Sequence, residues 1–137
     1  MKMRGSLRLI FKIKNIIMIK LDYTDWNIVN LASSILKAFW EKSFYNSLKE
    51  LDYMKDSKNV VLIVLDWLGY KFLEKYGKWT IFKKYLKRSL TSTFLSTTTS
   101  ALITLQTWMA PQQHGLIARK TFFKEVWAII KFFPFKG

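Results

Sequence analysis

Between residues 27 and 39, apolar side chains fall at Ile28, Leu31, Ala32, Ile35, Leu36 and Phe39. That is the spacing of a helix with one buried face, and Asp25 stands ahead of it as a candidate N-cap. Residues 47–54 predict a second, short helix, with Ser47 and Glu50 at capping-box spacing. The pattern then changes. Residues 59–65, Asn-Val-Val-Leu-Ile-Val-Leu, form a continuous apolar run rich in β-branched side chains, as expected of a parallel strand covered on both faces. The run closes at Asp66. Residues 70–76 return to helical spacing and stop at Gly77, a natural C′ residue; residues 81–86 predict another turn or two of helix. Residues 89–94 read as a second strand. It leads into Ser96-Thr-Thr-Thr-Ser100, whose hydroxyls suit a helix N-terminus, and on to a mostly apolar stretch through Leu105. Residues 110–115 predict a loop. Residues 121–135, weakly alternating and rich in aromatics, predict a strand or hairpin.

Strands alternating with helices predict an α/β fold with a mostly parallel sheet. In such sheets ligands gather at the carboxyl ends of the strands, where Asp66 and the hydroxyl cluster both fall. A carboxylate at the end of a buried strand is costly unless paired or ligated, so Asp66 is read either as a ligand of a divalent cation or as the cap of the next helix. Residues 96–107, Ser-Thr-Thr-Thr-Ser-Ala-Leu-Ile-Thr-Leu-Gln-Thr, admit two readings as well. A Thr at a helix N-terminus is placed to attack phosphorus while free backbone N–H groups hold phosphate oxygens. The same residues also make an ordinary N-cap.

The bulk numbers change this picture little. A chain of 137 residues fits one domain or part of one, and 50% apolar and 17% aromatic residues suffice for a core. The absence of Cys excludes disulfides and a thiolate metal site. The net charge of +14 raises a third class of function, a small basic protein that binds membrane surfaces or nucleic acid. Lys2, Arg4, Arg8, Lys12, Lys14 and Lys20 carry much of that charge with no acid among the first twenty residues. Elsewhere Lys dominates and Arg, the usual reader of bases, is scarce, so no dedicated nucleic-acid partner is expected. The longest apolar stretch, residues 60–65, is far short of the roughly 20 residues of a membrane span. The N-terminal LRLIFKIKNIIMIKL is interrupted by Lys12, Lys14 and Lys20 and lacks a signal-peptide core and cleavage site, so a cytoplasmic location is expected. That segment is either an amphipathic membrane-surface element or an upstream extension before a true start at Met18. Residues 1–17 are accordingly set apart from a domain over residues 18–137.

The stretch Asn59-Val-Val-Leu-Ile-Val-Leu-Asp66, followed by Trp-Leu-Gly-Tyr, resembles the first metal-ligand strand of the alkaline phosphatase superfamily. Its usual form is an apolar strand closing in Asp-Gly. Residues 91–115, from Thr-Ser-Thr-Phe-Leu-Ser-Thr-Thr-Thr-Ser to Met-Ala-Pro-Gln-Gln-His-Gly, resemble the nucleophile region of its bacterial type I phosphodiesterase/nucleotide pyrophosphatase-like branch. Asp-Tyr at 22–23 and Asn-Ser-Leu-Lys-Glu-Leu-Asp at 46–52 are similar to that branch too. The resemblance covers roughly residues 20–130. It implies a partial alkaline-phosphatase-like sandwich, a mostly parallel sheet with flanking helices. It implies Asp66 as a metal ligand and Thr98 as nucleophile and metal contact, with Thr97 and Thr93 as alternatives, and the backbone N–H of Thr99 facing the phosphate. The substrate class is a phosphate mono- or diester. The cofactor is a pair of divalent ions, zinc in most of the superfamily, which clamp the phosphoryl group while the Thr attacks in line and a metal-activated water then hydrolyses the phospho-enzyme. His114, the single His, sits in a His-Gly pair that looks structural in the family. The remaining Asp and His ligands are expected beyond residue 137, so this polypeptide is expected to be inactive by itself.

The departures from the family share a residue type. Trp67 and Trp108 stand where the family has Gly, Trp40 and Trp127 where close relatives tend to have Gly, and Trp26 and Trp79 in turn-like contexts. One cause would cover them all: a genetic code in which UGA means Gly, translated with a table in which it means Trp. The alternative is a decaying gene, and with it a non-catalytic relative in which Asp66 and Thr98 are remnants. Leu95, where the family has Pro, and Ala118-Arg119, where it often has Gly-Trp, fit divergence or sequence error rather than recoding. The C-terminal aromatics Phe122, Phe123, Phe132, Phe133 and Phe135 are read as sheet-core residues or as a membrane or partner surface; the former predicts an exposed apolar patch when this stretch stands alone.

Overall fold

The computed structural model describes residues 22–39 and 42–132. The N-terminal extension, the start at Met18, Trp40 and residues 133–137 lie outside the described residues.

Helix α1 spans Ile28–Ala38, close to the predicted range, but its cap is Asn27 and not Asp25. The Asn27 backbone is extended (φ −119°, ψ 161°), and its Oδ1 accepts the Val29 N–H at 2.8 Å. The Oδ1 of Asn30 accepts the Asn27 N–H in return at 3.0 Å, a capping box with Asn in the place of Glu. Asp25 lies two residues too early to reach the first turn. The same Asn27 amide donates to Thr91 Oγ1 and to the Ser92 carbonyl, each at 3.0 Å, so one buried side chain caps a helix and ties it to a segment 64 residues away.

The apolar face of α1 is short and the rest of its buried surface is polar. Ile35 and Ala38 pack on Met54, with Leu31, Leu51, Val60 and Trp108 around them. Toward the N-terminus, Asn30 Nδ2 donates to the Tyr23 and Asn46 carbonyls, Ser33 Oγ to the Tyr45 carbonyl, and Ser34 Oγ accepts the Leu48 N–H. These bonds satisfy loop backbone that would otherwise be buried unpaired. They hold residues 43–48 along the helix, and a 3₁₀ segment, Lys49–Asp56, follows. The short helix predicted over 47–54 is therefore shifted and wound more tightly. Ser47 does not form its box: the cap residue is Leu48, with no side-chain bond, and Ser47 Oγ instead accepts from Lys37 Nζ.

Helix α2 (Tyr70–Tyr76) matches the predicted range. Gly77 ends it as the cap residue at φ −84° rather than in a left-handed turn. Its glycine is required by space: a Cβ there would stand 2.4 Å from the Leu73 carbonyl oxygen. Helix α3 (Ile81–Lys84) is one turn capped by Thr80. Helix α4 (Thr98–Thr107) is capped by Thr97 and packs on α1. The predicted loop at 110–115 contains a further turn, α5 (Pro111–His114), begun by Pro at its first position and closed by Gly115 at φ 70°. Strands β1 (Lys120–Phe123) and β2 (Ala128–Lys131) form the predicted hairpin, antiparallel, with Lys120 opposite Lys131 and Phe123 opposite Ala128.

The architecture is thus mixed helix and strand, and the mostly parallel sheet of a sandwich is absent from the described residues. The single parallel contact there is the bridge between Asn27 and Thr91, with Ile28 N–H to the Thr91 carbonyl and Thr91 N–H to the Trp26 carbonyl, both 3.0 Å. Of the second predicted strand, 89–94, only Thr91 pairs. The first, 59–65, pairs with nothing described, and Val61 and Ile63 are 80% and 75% exposed. The physical reason is supply. A strand apolar on both faces needs neighbours on its edges and layers above and below, and the described residues provide neither.

Candidate functional site

The turn at Asp66 and the N-terminus of α4 meet. Thr98 is the first residue of α4, and its Oγ1 donates to Asp66 Oδ2 at 3.3 Å. The other carboxylate oxygen accepts the Trp67 N–H at 3.1 Å. Both side chains are exposed. They open on a cavity of about 450 Å³ whose wall also includes Ser96, Thr97, Thr99 and Arg119.

Each candidate hydroxyl has a distinct place. Thr97 is committed to structure: its Oγ1 accepts the Ser100 N–H at 3.1 Å as the helix cap and donates to the Ile117 carbonyl at 3.0 Å. Thr93 is buried, its hydroxyl bonded to the Leu95 carbonyl at 3.2 Å, and it does not line the cavity. The Thr99 side chain is buried. The N–H groups of Thr98 and Thr99 belong to the first helical turn, which no carbonyl of the helix can reach, and they lie at the positive end of the helix dipole. Cavity, hydroxyl and free amides therefore coincide at residue 98.

His114 lies elsewhere, on α5. Its Nδ1 accepts the Leu116 N–H at 3.0 Å and its Nε2 lies 3.1 Å from Thr104 Oγ1. Because Nδ1 is an acceptor, the proton is on Nε2. Burial holds the imidazole below its ordinary pKa, against the smaller upward pull of the His114 and Ser100 carbonyls. This ring staples α5 to α4.

The cavity residue with no local signal in the sequence is Arg119. It was visible there only as a departure from the family pattern, and the structure puts it on the wall shared by Asp66 and Thr98. Two other hollows lie apart from Asp66 and α4. One, of about 520 Å³, is apolar and lined by side chains such as Leu31, Leu73 and Phe82. The other, of about 990 Å³, lies along Lys37, Tyr45 and Asp52.

The donor set does not by itself fit zinc. A tetrahedral site takes four ligands, Asp66 and Thr98 offer two side chains, and among the described residues no three His, Cys, Asp or Glu side chains cluster. No model of a known protein family matches the chain, and no curated protein and no solved structure matches it either.

Proposed function

We propose that this chain is the N-terminal part of a hydrolase of phosphate mono- or diesters, in the alkaline phosphatase superfamily, and that it is inactive by itself. The observation that carries the reading is the meeting of Thr98 and Asp66 at a helix N-terminus, at the two places the motif resemblance had marked independently. Thr98 is the nucleophile: its hydroxyl is exposed to the cavity, whereas Thr97 is spent on the cap and Thr93 is buried. The Thr98 and Thr99 amides receive phosphoryl oxygens, as the first turn of a helix does for anions. Asp66 and the Thr98 hydroxyl are the metal contacts among the described residues, and the other ligands come from outside them.

The test is hydrolysis of p-nitrophenyl phosphate and bis(p-nitrophenyl) phosphate by the gene product as its source cell makes it, with and without zinc. Activity that disappears in both the Asp66→Asn and Thr98→Ala variants supports the reading. Activity that survives Thr98→Ala removes it.

A second reading, a non-catalytic relative, rests on Trp67, whose indole stands beside Asp66 at the cavity wall. A natural gene product with no hydrolase activity in either condition favours it.

A further inference from the structure

Among the described residues five have a left-handed backbone, and their identities form a pattern. One is Gly115 at φ 70°; the other four are Trp26, Trp67, Trp108 and Trp127, at φ 50°, 66°, 60° and 49°. After Gly, the residues that tolerate this region are Asn and Asp, while for a bulky side chain it is an outlier. The described chain offers Asn27, Asn30, Asn46, Asn59 and five Asp residues, and none of them is left-handed. Of its Trp residues, only Trp79 is not.

Each of the four sites is one where backbone geometry asks for glycine. Trp108 closes α4, its N–H bonded to the Thr104 carbonyl at 2.9 Å. Gly115 closes α5 in the same way, its N–H bonded to the Pro111 carbonyl at 2.9 Å. Left-handed helix ends are the habitual place of glycine, so two successive helices end alike, one with Gly and one with Trp. Trp127 is the last residue before β2 in the hairpin loop, where a left-handed residue returns the chain to the ladder. Trp26 is held by its carbonyl, which accepts the Thr91 N–H at the parallel bridge. Trp67 makes the turn out of Asp66. Its side chain is 95% exposed and touches no core that would reward an indole. Composition agrees: five glycines in 137 residues is about half the usual share of roughly 7%.

We propose that positions 26, 67, 108 and 127 are glycine in the protein its source cell makes, the codon being UGA and read there as glycine. A decaying gene does not account for the pattern. Single-base changes at glycine codons lead to several residue types, yet every non-glycine residue found in left-handed backbone is Trp. The inference stands on backbone angles and does not depend on the phosphate-ester reading. It does bear on the same site, because glycine at 67 removes the indole from beside Asp66 and leaves the turn unstrained.

The deciding experiment is peptide mass spectrometry on the protein isolated from its source cells. Peptides spanning residues 26, 67, 108 and 127 are expected lighter by the tryptophan–glycine mass difference at each position, with UGA at the matching codons. Peptides carrying Trp at these positions, or UGG codons, overturn the proposal. The backbone claim has its own check in the recombinant chain. The combined Trp67→Gly and Trp127→Gly variant, at the two left-handed sites whose indoles are exposed, should unfold at a higher urea concentration than the Trp form, and Trp79→Gly alone should not. An unchanged or lower midpoint for the combined variant overturns the claim that these sites are built for glycine.

Discussion

Thr98 Oγ1 lies 3.3 Å from Asp66 Oδ2 although 32 residues separate the two in sequence. The contact exists because α4 is fixed at its start. Thr97 caps the helix and anchors it to the Ile117 carbonyl, and the next residue is left facing the Asp66 turn. Adjacent threonines thus divide the labour, one structural and one free.

That division separates the two variants. Thr97→Ala removes the cap acceptor of α4 and should cost about 1 kcal/mol of stability, read as a lower midpoint in urea unfolding. Thr98→Ala alters an exposed side chain and should stay within about 0.5 kcal/mol of the parent, while abolishing phosphate-ester hydrolysis in the natural gene product. Equal loss of activity in the two variants with equal stability would contradict the assignment.

The Asn27 side chain bonds at once to the first turn of α1 and to residues 91 and 92. Asn27→Ala loses the cap to Val29 and leaves the partners at Thr91 and Ser92 without a donor. A cap is worth about 1 kcal/mol, and a buried group left unpaired costs about 1–3 kcal/mol. The expected loss is therefore above 2 kcal/mol. Asp25→Ala, at the position the sequence pattern favoured as cap, should be near neutral. Chemical denaturation of the two variants side by side checks both statements.

Helical periodicity made α1 and α2 legible in the sequence, because each presents one face to a neighbour. The hairpin β1–β2 was legible through its alternation. The caps were less so: Asp25 and Asn27 are both good cap residues, and only the long-range bonds of Asn27 to Thr91 and Ser92 decide between them. Residues 59–65 show the reverse failure. Their composition is that of a central strand, but strand pairing is a property of neighbours, and none is present among the described residues. Of the site, Asp66 and the threonine cluster stood out through chemistry and motif. The choice among Thr93, Thr97 and Thr98 needed burial and hydrogen bonding, and Arg119 reaches the cavity wall through a fold that no short window of sequence encodes.

Gly77 supports α2 through space rather than backbone freedom. Its φ of −84° is open to any residue, yet an added Cβ would meet Leu73 Cδ1 at 2.6 Å as well as the carbonyl oxygen. Overpacking of this kind costs about 1–3 kcal/mol. Gly77→Ala should destabilise by that amount. Pairing it with Leu73→Ala should recover part of the loss, since the smaller side chain withdraws one of the two clashes. A double-mutant cycle with no coupling would refute the steric account.

Exposed apolar side chains include residues 61–65, the α2–α3 segment with Phe72, Trp79 and Ile81, and the hairpin with Trp127 and Ile129. Patches of this size on an isolated chain favour association. The recombinant chain should bind the dye ANS and sediment as aggregates at moderate concentration. Val61→Lys with Ile63→Lys should reduce both effects and leave the unfolding midpoint within about 0.5 kcal/mol, because neither side chain is buried. Unchanged aggregation in that variant would point to the α2–α3 segment or the hairpin instead.

The pH response follows from His114. In the folded chain its Nδ1 must stay unprotonated to accept the Leu116 N–H, and burial lowers its pKa, whereas in the unfolded chain it titrates near about 6.5. Between the two values the unfolded state holds a proton that the folded state does not. Stability therefore rises with pH through that window and falls as the medium is acidified below about 6.5. Above it both states are neutral and His114 contributes no slope. The ring is only partly buried, so the effect is modest, but its sign is fixed. His114→Asn keeps an acceptor near the Leu116 N–H and cannot titrate. Urea unfolding at several pH values from about 7.5 down to about 5.5, above the ordinary carboxylate range, should show a declining midpoint for the parent and a flatter line for the variant. Parallel lines would mean that His114 does not carry the dependence, and that the staple between α4 and α5 tolerates the charged ring.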